Sequence, residues 1–261
     1  MKDSNLKVIN GIKKDRFHLL DVIRGITIIN MIIYHGLYDV VSICGAHIPF
    51  YSSRWGYVYQ QMICWGFIII SGMCRALGSR NPKRGIIVSL CGIIITLVTM
   101  IFLPEERIIF GVLTMLGAAM LITLALDKWL RKIPNIAGLI ISVLLFVITR
   151  NVYIHSLGFE RLVICKLPDF LYKDYFTTFL GFPFKGFYSG DYFPIIPWLF
   201  LFLAGFYLCL LIKDKEKIKK ILSKDIPVFS FIGRHSLLIY MLHQVILYIA
   251  VLGIYYCLSR V

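Results

Sequence analysis

The sequence is poor in charge. Asp, Glu, Lys and Arg make up 16% of its 261 residues, where a soluble domain carries about a quarter. It is poorer still in acid, with 14 Asp and Glu against 28 Lys and Arg. No GxSxG elbow, HExxH pair or P-loop occurs, which removes support for soluble-type hydrolases, metalloproteases and NTPases. The seven cysteines include no CxxC pair, so no zinc or dithiol redox site is indicated and no metal is expected. There is no internal repeat and no low-complexity tract. The first 18 residues lack the roughly 7–15-residue apolar core of a cleavable leader. The first hydrophobic segment is therefore expected to be retained as a helix.

What the sequence has in quantity is apolar. Hydrophobic residues reach 59% and the mean hydropathy is +0.79. Several runs attain the ~20 residues that a bilayer-crossing helix needs. The expected fold is an all-α, polytopic transmembrane bundle. Its seven spans lie near 19–41, 58–77, 85–103, 108–126, 136–153, 193–212 and 232–258. Residues 1–18 read as a basic tail and 19–258 as one transmembrane domain. The long, aromatic-rich connection 154–192 is expected to be interfacial or re-entrant, with room for an extra partial span.

The net charge of +14 does not point to nucleic acid, because the basic residues sit in clusters between apolar runs. Four alternate segments hold 18 of the 28 Lys and Arg. By the positive-inside tendency they face the cytoplasm, which puts the N-terminus inside, in a bacterial plasma (cell) membrane. Most cysteines read as small apolar residues; Cys44 and Cys165 fall in loops of one side and are candidates for a disulfide.

The first span, "DVIRGITIINMIIYHGLYDV", carries Asp21, Arg24, His35 and Asp39. At about 100° per residue, Arg24 and His35 differ by only about 20° around the axis. All four fall in a band of roughly 80°. At ~1.5 Å per residue, His35 lies ~16 Å beyond Arg24. Exposing such charges to lipid costs at least ~2.5–3.5 kcal/mol each, so the stripe is expected to face the bundle interior. The bland reading makes Asp21 and Arg24 an interfacial i,i+3 pair. His35 is harder to explain away, because Asp39 stands one turn above it, where an acid can orient an imidazole.

Further candidates follow. Asp191 precedes the "FPIIPW" start of the sixth span and either punctuates it or recognises an acceptor at an outer mouth. Arg234 and His235 stand at the cytoplasmic end of the last span, where phosphates of a donor or of lipid would lie. His243 and Gln244 lie deeper in the same run and are intramembrane candidates for substrate binding. Ser71-Gly72 reads foremost as a close helix contact.

Together "RFHLLDVIRGITIINMIIYH", "FIIISG", "DYFPIIPW" and "IGRHSLLIYMLHQ" resemble bacterial proteins related to the catalytic domain of heparan-alpha-glucosaminide N-acetyltransferase, from residue 16 to about 245. The Arg24-to-His35 spacing also looks like the Arg-x10-His signature of the broader acyltransferase 3 superfamily. The resemblance implies a transmembrane enzyme that moves an acyl group, acetyl foremost, from cytosolic acyl-CoA to a hydroxyl or amine of a glycan or small acceptor outside. It implies His35 as catalytic histidine, by proton transfer or as an acyl carrier, with Arg24 as its channel-lining partner near the donor. Asp39 joins that set, and His47, in the loop after the first span, is a secondary candidate because lysosomal members use a histidine there. Arg24, Arg234 and His235 are the expected acyl-CoA contacts, and no permanently bound cofactor is implied. The large luminal domain of the animal enzymes has no counterpart, so a bacterial glycan or small acceptor is expected over heparan sulfate. A homodimer is left open. The alternative is a transporter or flippase using the same polar stripe as a substrate path, although the paired broken helices of such folds are not visible.

Overall fold

The computed structural model describes residues 17–78 and 80–258. The basic tail expected at 1–18 lies almost wholly outside the described residues.

The first helix, α1 (His18–Cys44), is ended by Gly45 in the left-handed region, φ 64°, where glycine carries no Cβ penalty. Helix α2 (Arg54–Leu77) starts where the Ser53 side chain accepts from the amides of Trp55 and Gly56, a common N-cap arrangement. Then come α3 (Lys83–Phe102), α4 (Val112–Ala125), the single turn α5 (Asp127–Leu130) and α6 (Asn135–Thr149). An antiparallel hairpin follows, β1 (Ser156–Phe159) and β2 (Leu162–Lys166), with an irregularity at Leu157/Gly158. The chain ends with α7 (Tyr175–Leu180), α8 (Ile195–Ile212), α9 (Glu216–Leu222), α10 (Pro227–Arg234) and α11 (Ser236–Leu258).

Six of these helices are long and apolar enough to cross a bilayer: α1, α2, α3, α6 with its extension to Ile154, α8 and α11. The all-α polytopic bundle is the observed architecture, with two corrections to the expected spans. The fourth is shorter than expected. At about 1.5 Å per residue, the 14 residues of α4 reach ~21 Å, short of the ~30 Å hydrocarbon core. Its approach is not helical: Phe110 has φ 57°. Segment 189–193 docks there instead, as Ile109 N–H donates to Ser189 Oγ at 2.9 Å and Val112 N–H to Asp191 Oδ2 at 3.4 Å. The Asp191 carboxyl thus meets an amide that a helix start leaves open, and Ser189 one in the approach to it. The last span is also split, because α10 is a separate eight-residue helix before α11.

Connection 154–192 holds the hairpin, short turns and the six-residue α7; among the described residues no helix of spanning length lies in it. Its aromatics pack on one another, as with Phe184 and Phe187 at 5.7 Å between centroids and Phe187 and Tyr192 at 5.1 Å. Cys44, at the end of α1, and Cys165, on β2, are both free.

Helix α8 forms the centre of the core, burying Trp198, Phe202, Phe206 and Tyr207. It meets α2 at two glycines. A Cβ on Gly72 would fall on the Phe202 carbonyl, and one on Gly205 on the Ile69 carbonyl. The two helices run in the same direction in backbone contact, since Arg150 joins Gln61 to Trp198 near their starts and Arg131 joins Ala76 to Phe206 near their ends, the situation that small residues permit within membranes. Helices α1 and α10 meet similarly, Gly25 against Phe229 and Gly233 against Asp21. Gly205→Ala is expected to destabilise the fold by about 1–3 kcal/mol through overpacking. Gly253→Ala, where nothing lies within 4 Å of the added carbon, should be neutral or slightly stabilising. Thermal unfolding of both variants in one detergent checks the contrast; equal midpoints would contradict it.

Candidate active site

The polar stripe of α1 does face inward. Arg24 is 7% exposed and Asp39 1% exposed, whereas Ile23, Ile26 and Ile33 on other faces are exposed. At the lower end, Arg24 Nη1 pairs with Asp21 Oδ1 at 3.2 Å and Nη2 lies 2.8 Å from Cys74 Sγ, near the end of α2. Arg84, on the first turn of α3, lies within electrostatic reach of Arg24 and Asp21. Arg234, at the end of α10, comes to the same end through the α1–α10 contact and donates to Ser230 Oγ at 3.4 Å. These groups wall a cavity of about 720 Å³, within the range of small-molecule and cofactor sites. Arg24, Arg75, Lys83, Arg84 and Arg234 give it a cationic wall, against the single carboxylate of Asp21. Deeper in, it is lined by Phe67, Leu113, Leu116 and Tyr240. The basic residues of α1, α2, α3 and α10 therefore share one end of the bundle, as the charge pattern requires.

Beyond Tyr240 lies the second half of the site. His243 follows Tyr240 by three residues on α11, and its Nδ1 is 2.6 Å from the Tyr240 carbonyl oxygen. A carbonyl only accepts, so Nδ1 is assigned the proton and Nε2 is left as the basic nitrogen. Nε2 is buried and has no hydrogen-bond partner among the described residues. His35 stands edge-on to His243, ring centroids 5.0 Å apart at 64°, with Tyr34 edge-on at 6.2 Å. Asp39 does not orient His35. Its Oδ1 accepts from Gln244 Nε2 at 2.8 Å, tying α1 to α11. Asp39 Oδ2 and Gln244 Oε1 are buried without partners among the described residues. Residues 35 and 39 are neighbours on one helical face, and α11 presents 243 and 244 to that face.

The structure thus brings Arg24 and Arg234 to one cavity, and His35, Asp39, His243 and Gln244 to one cluster behind it. It leaves others aside. His47 is exposed in the connection after α1. His235 is exposed between α10 and α11, its Nδ1 2.9 Å from its own helix's Phe231 carbonyl. Asp191, by contrast, stands at the start of α4 and within electrostatic reach of Tyr240 and Cys64. Burial pushes its carboxyl up to about 6, partly offset by the Val112 N–H. A raised carboxyl pKa means that the neutral acid suits the fold, so this contribution is full below the ordinary value and is lost as pH rises through about 6. Asp191→Asn keeps an acceptor for Val112. It should raise the unfolding midpoint at pH 8 and leave it near wild type at pH 4; equal shifts at both pH values would contradict this.

Sequence reasoning passed over Tyr240, Arg84 and Lys83. Tyr240 carried a signal, because it shares a face with His243 at i,i+3. The two cations read only as orientation anchors at the head of α3.

A spanning helical bundle with a basic cavity at one end and a buried polar cluster behind it defines a polytopic membrane protein with a candidate site inside the bundle. The chain belongs to the heparan-alpha-glucosaminide N-acetyltransferase catalytic-domain family, whose family model matches residues 16–245. That stretch includes every element from α1 to α10 and α11 past Gln244. Searches of curated proteins and of solved structures return no match. Family membership supports a transmembrane acetyltransferase as the general activity.

Proposed function

We propose that the chain transfers an acyl group, acetyl foremost, from acyl-CoA in the basic cavity to a hydroxyl or amine of a glycan or small acceptor. The acceptor reaches the histidine pair from the opposite side of a plasma membrane. One observation carries this reading: the cationic cavity ends at Tyr240, and the Tyr240 carbonyl holds His243 against His35. A polyphosphorylated donor suits Arg24, Lys83, Arg84 and Arg234, since guanidinium and ammonium groups are strong phosphate partners. The apolar depth formed by Phe67, Leu113 and Leu116 suits the uncharged arm that carries the thioester.

In the proposed reaction His35 takes the proton from the acceptor O–H or N–H. The acceptor atom forms a bond to the thioester carbonyl carbon, the C–S bond breaks, and the thiolate sulfur takes the proton from His35. His243, with Nδ1–H held by Tyr240, packs edge-on to the His35 ring and orients it by that contact. Asp39 and Gln244 brace the two helices behind the pair.

The test is proteoliposomes with labelled acetyl-CoA on the side of the basic cavity and an acceptor library on the other. Acceptor acetylation matched one-to-one by CoA release supports the proposal. A burst of one CoA per protein without acceptor would shift His35 from proton carrier to acyl carrier. Solute flux with no CoA release would replace the enzyme reading by transport.

A further inference from the structure

Three arginines converge on one buried carboxylate at the basic end. Asp127, 2% exposed, opens α5. Arg131 Nε lies 3.1 and 3.0 Å from its two oxygens, Arg80 Nε 3.0 Å from Oδ2, and Arg75 Nη2 3.5 Å from Oδ1. Arg131 is fixed further by donating to the Ala76 carbonyl at 3.2 Å and by lying over the Phe206 ring at 5.4 Å. The carboxylate is thus held by the other two arginines, and its contact with Arg75 is the longest.

Arg75 differs from its neighbours. It is 9% exposed and forms part of the cavity wall, and its buried Nη1 has no hydrogen-bond partner among the described residues. A guanidinium has five donors and stays charged. Leaving one of its nitrogens buried without an acceptor is costly, and a group of this kind beside a cavity calls for an explanation. An anion in the cavity supplies the missing acceptor.

We infer that Arg75 anchors a phosphate group of the ligand through Nη1, while Asp127, clamped by Arg80 and Arg131, positions the guanidinium through Nη2. The inference rests on the acyl-CoA reading of the cavity and adds to it a binding residue and a positioning residue. Phosphate could come from acyl-CoA or from a phospholipid head group, and the test separates them.

CoA binding is measured by calorimetry on the full chain in phosphatidylcholine nanodiscs. Arg75→Lys keeps the charge and a partner for Asp127 but loses the second arm of the fork. The expected result is a Kd for CoA about 10- to 100-fold weaker. The KM for acetyl-CoA should rise in parallel, with kcat within about twofold of wild type. Asp127→Asn should raise KM in the same way, and Asp127→Glu should restore it. Wild-type affinity in Arg75→Lys overturns this inference and leaves the acyltransferase reading standing; no CoA binding by the wild type overturns both. With phosphatidylglycerol in the discs, unchanged CoA affinity supports the acyl-CoA assignment. A loss of affinity in the wild type that Arg75→Lys does not share assigns the anchor to lipid and overturns it.

Discussion

His35→Ala in lipid-reconstituted protein is expected to lower acyl transfer by about 10²- to 10⁴-fold, the usual range for a general base. The loss should fall on kcat, with CoA affinity retained, because His35 is not part of the cavity wall. The structural cost should be modest, since the His35 ring is partly exposed and packs edge-on to the rings of Tyr34 and His243, without a hydrogen-bonded partner among the described residues to abandon. A mutant that folds, binds CoA and does not transfer separates chemistry from assembly. His243→Ala gives the internal comparison. If His243 only orients His35, its removal should cost less than removal of His35. Unchanged transfer in His35→Ala would end the role proposed for it.

Asp127→Ala should produce the largest loss of stability. Breaking a buried ion pair from one side typically costs about 3–5 kcal/mol, because the partner is left as an uncompensated charge. Here the abandoned partner is Arg75, which is itself buried, while Arg80 and Arg131 are more exposed and can turn to water. Burial favours the neutral form of Asp127, but the hydrogen bond and charge of Arg131, the charge of Arg75 and the hydrogen bond from Arg80 outweigh it and hold the carboxyl below its ordinary value. With the folded pKa lowered, the stabilisation is complete above about pH 4 and is lost only as pH falls further. Thermal unfolding of Asp127→Ala at pH 7 measures the effect. A midpoint within a degree of wild type would show that the cluster contributes nothing.

Much of the architecture was legible because bilayer thickness leaves few choices to an apolar run. The spans at α1, α2, α3, α6 and α8 are close to where hydropathy puts them. The fourth span was overestimated because residues 108–111 are as apolar as a helix would be, and nothing local shows that Ser189 and Asp191 meet the amides there. The last span was overextended because the break before Ser236 lies in a continuous polar-then-apolar run. The site was half legible. Helical phase aligned Asp21, Arg24, His35 and Asp39 on an inward face, which their burial bears out. The same local spacing suggested that Asp39 orients His35, whereas the acid is met by Gln244, 205 positions away. A partner of that kind is a tertiary fact that i,i+4 spacing does not contain. The cations that wall the cavity from α2 and α3 were read for orientation alone, since a positive-inside anchor and a phosphate ligand are the same residue type at the same depth.

The depth of the cavity has an electrical consequence. Because the space between Arg24 and Tyr240 admits the aqueous phase of the basic end, the insulating thickness of the protein is reduced to the layer from Tyr240 outward. A transmembrane voltage, about 2.3 kcal/mol per unit charge per 100 mV, falls mainly across that layer. A proton passing between His35 and the far side would cross most of this drop, whereas a charge moving within the cavity would cross little of it. In the proposed transfer the proton moves inward to the CoA sulfur as the acyl group moves outward, so a completed turnover carries no net charge and voltage acts only on the step in which His35 holds the proton.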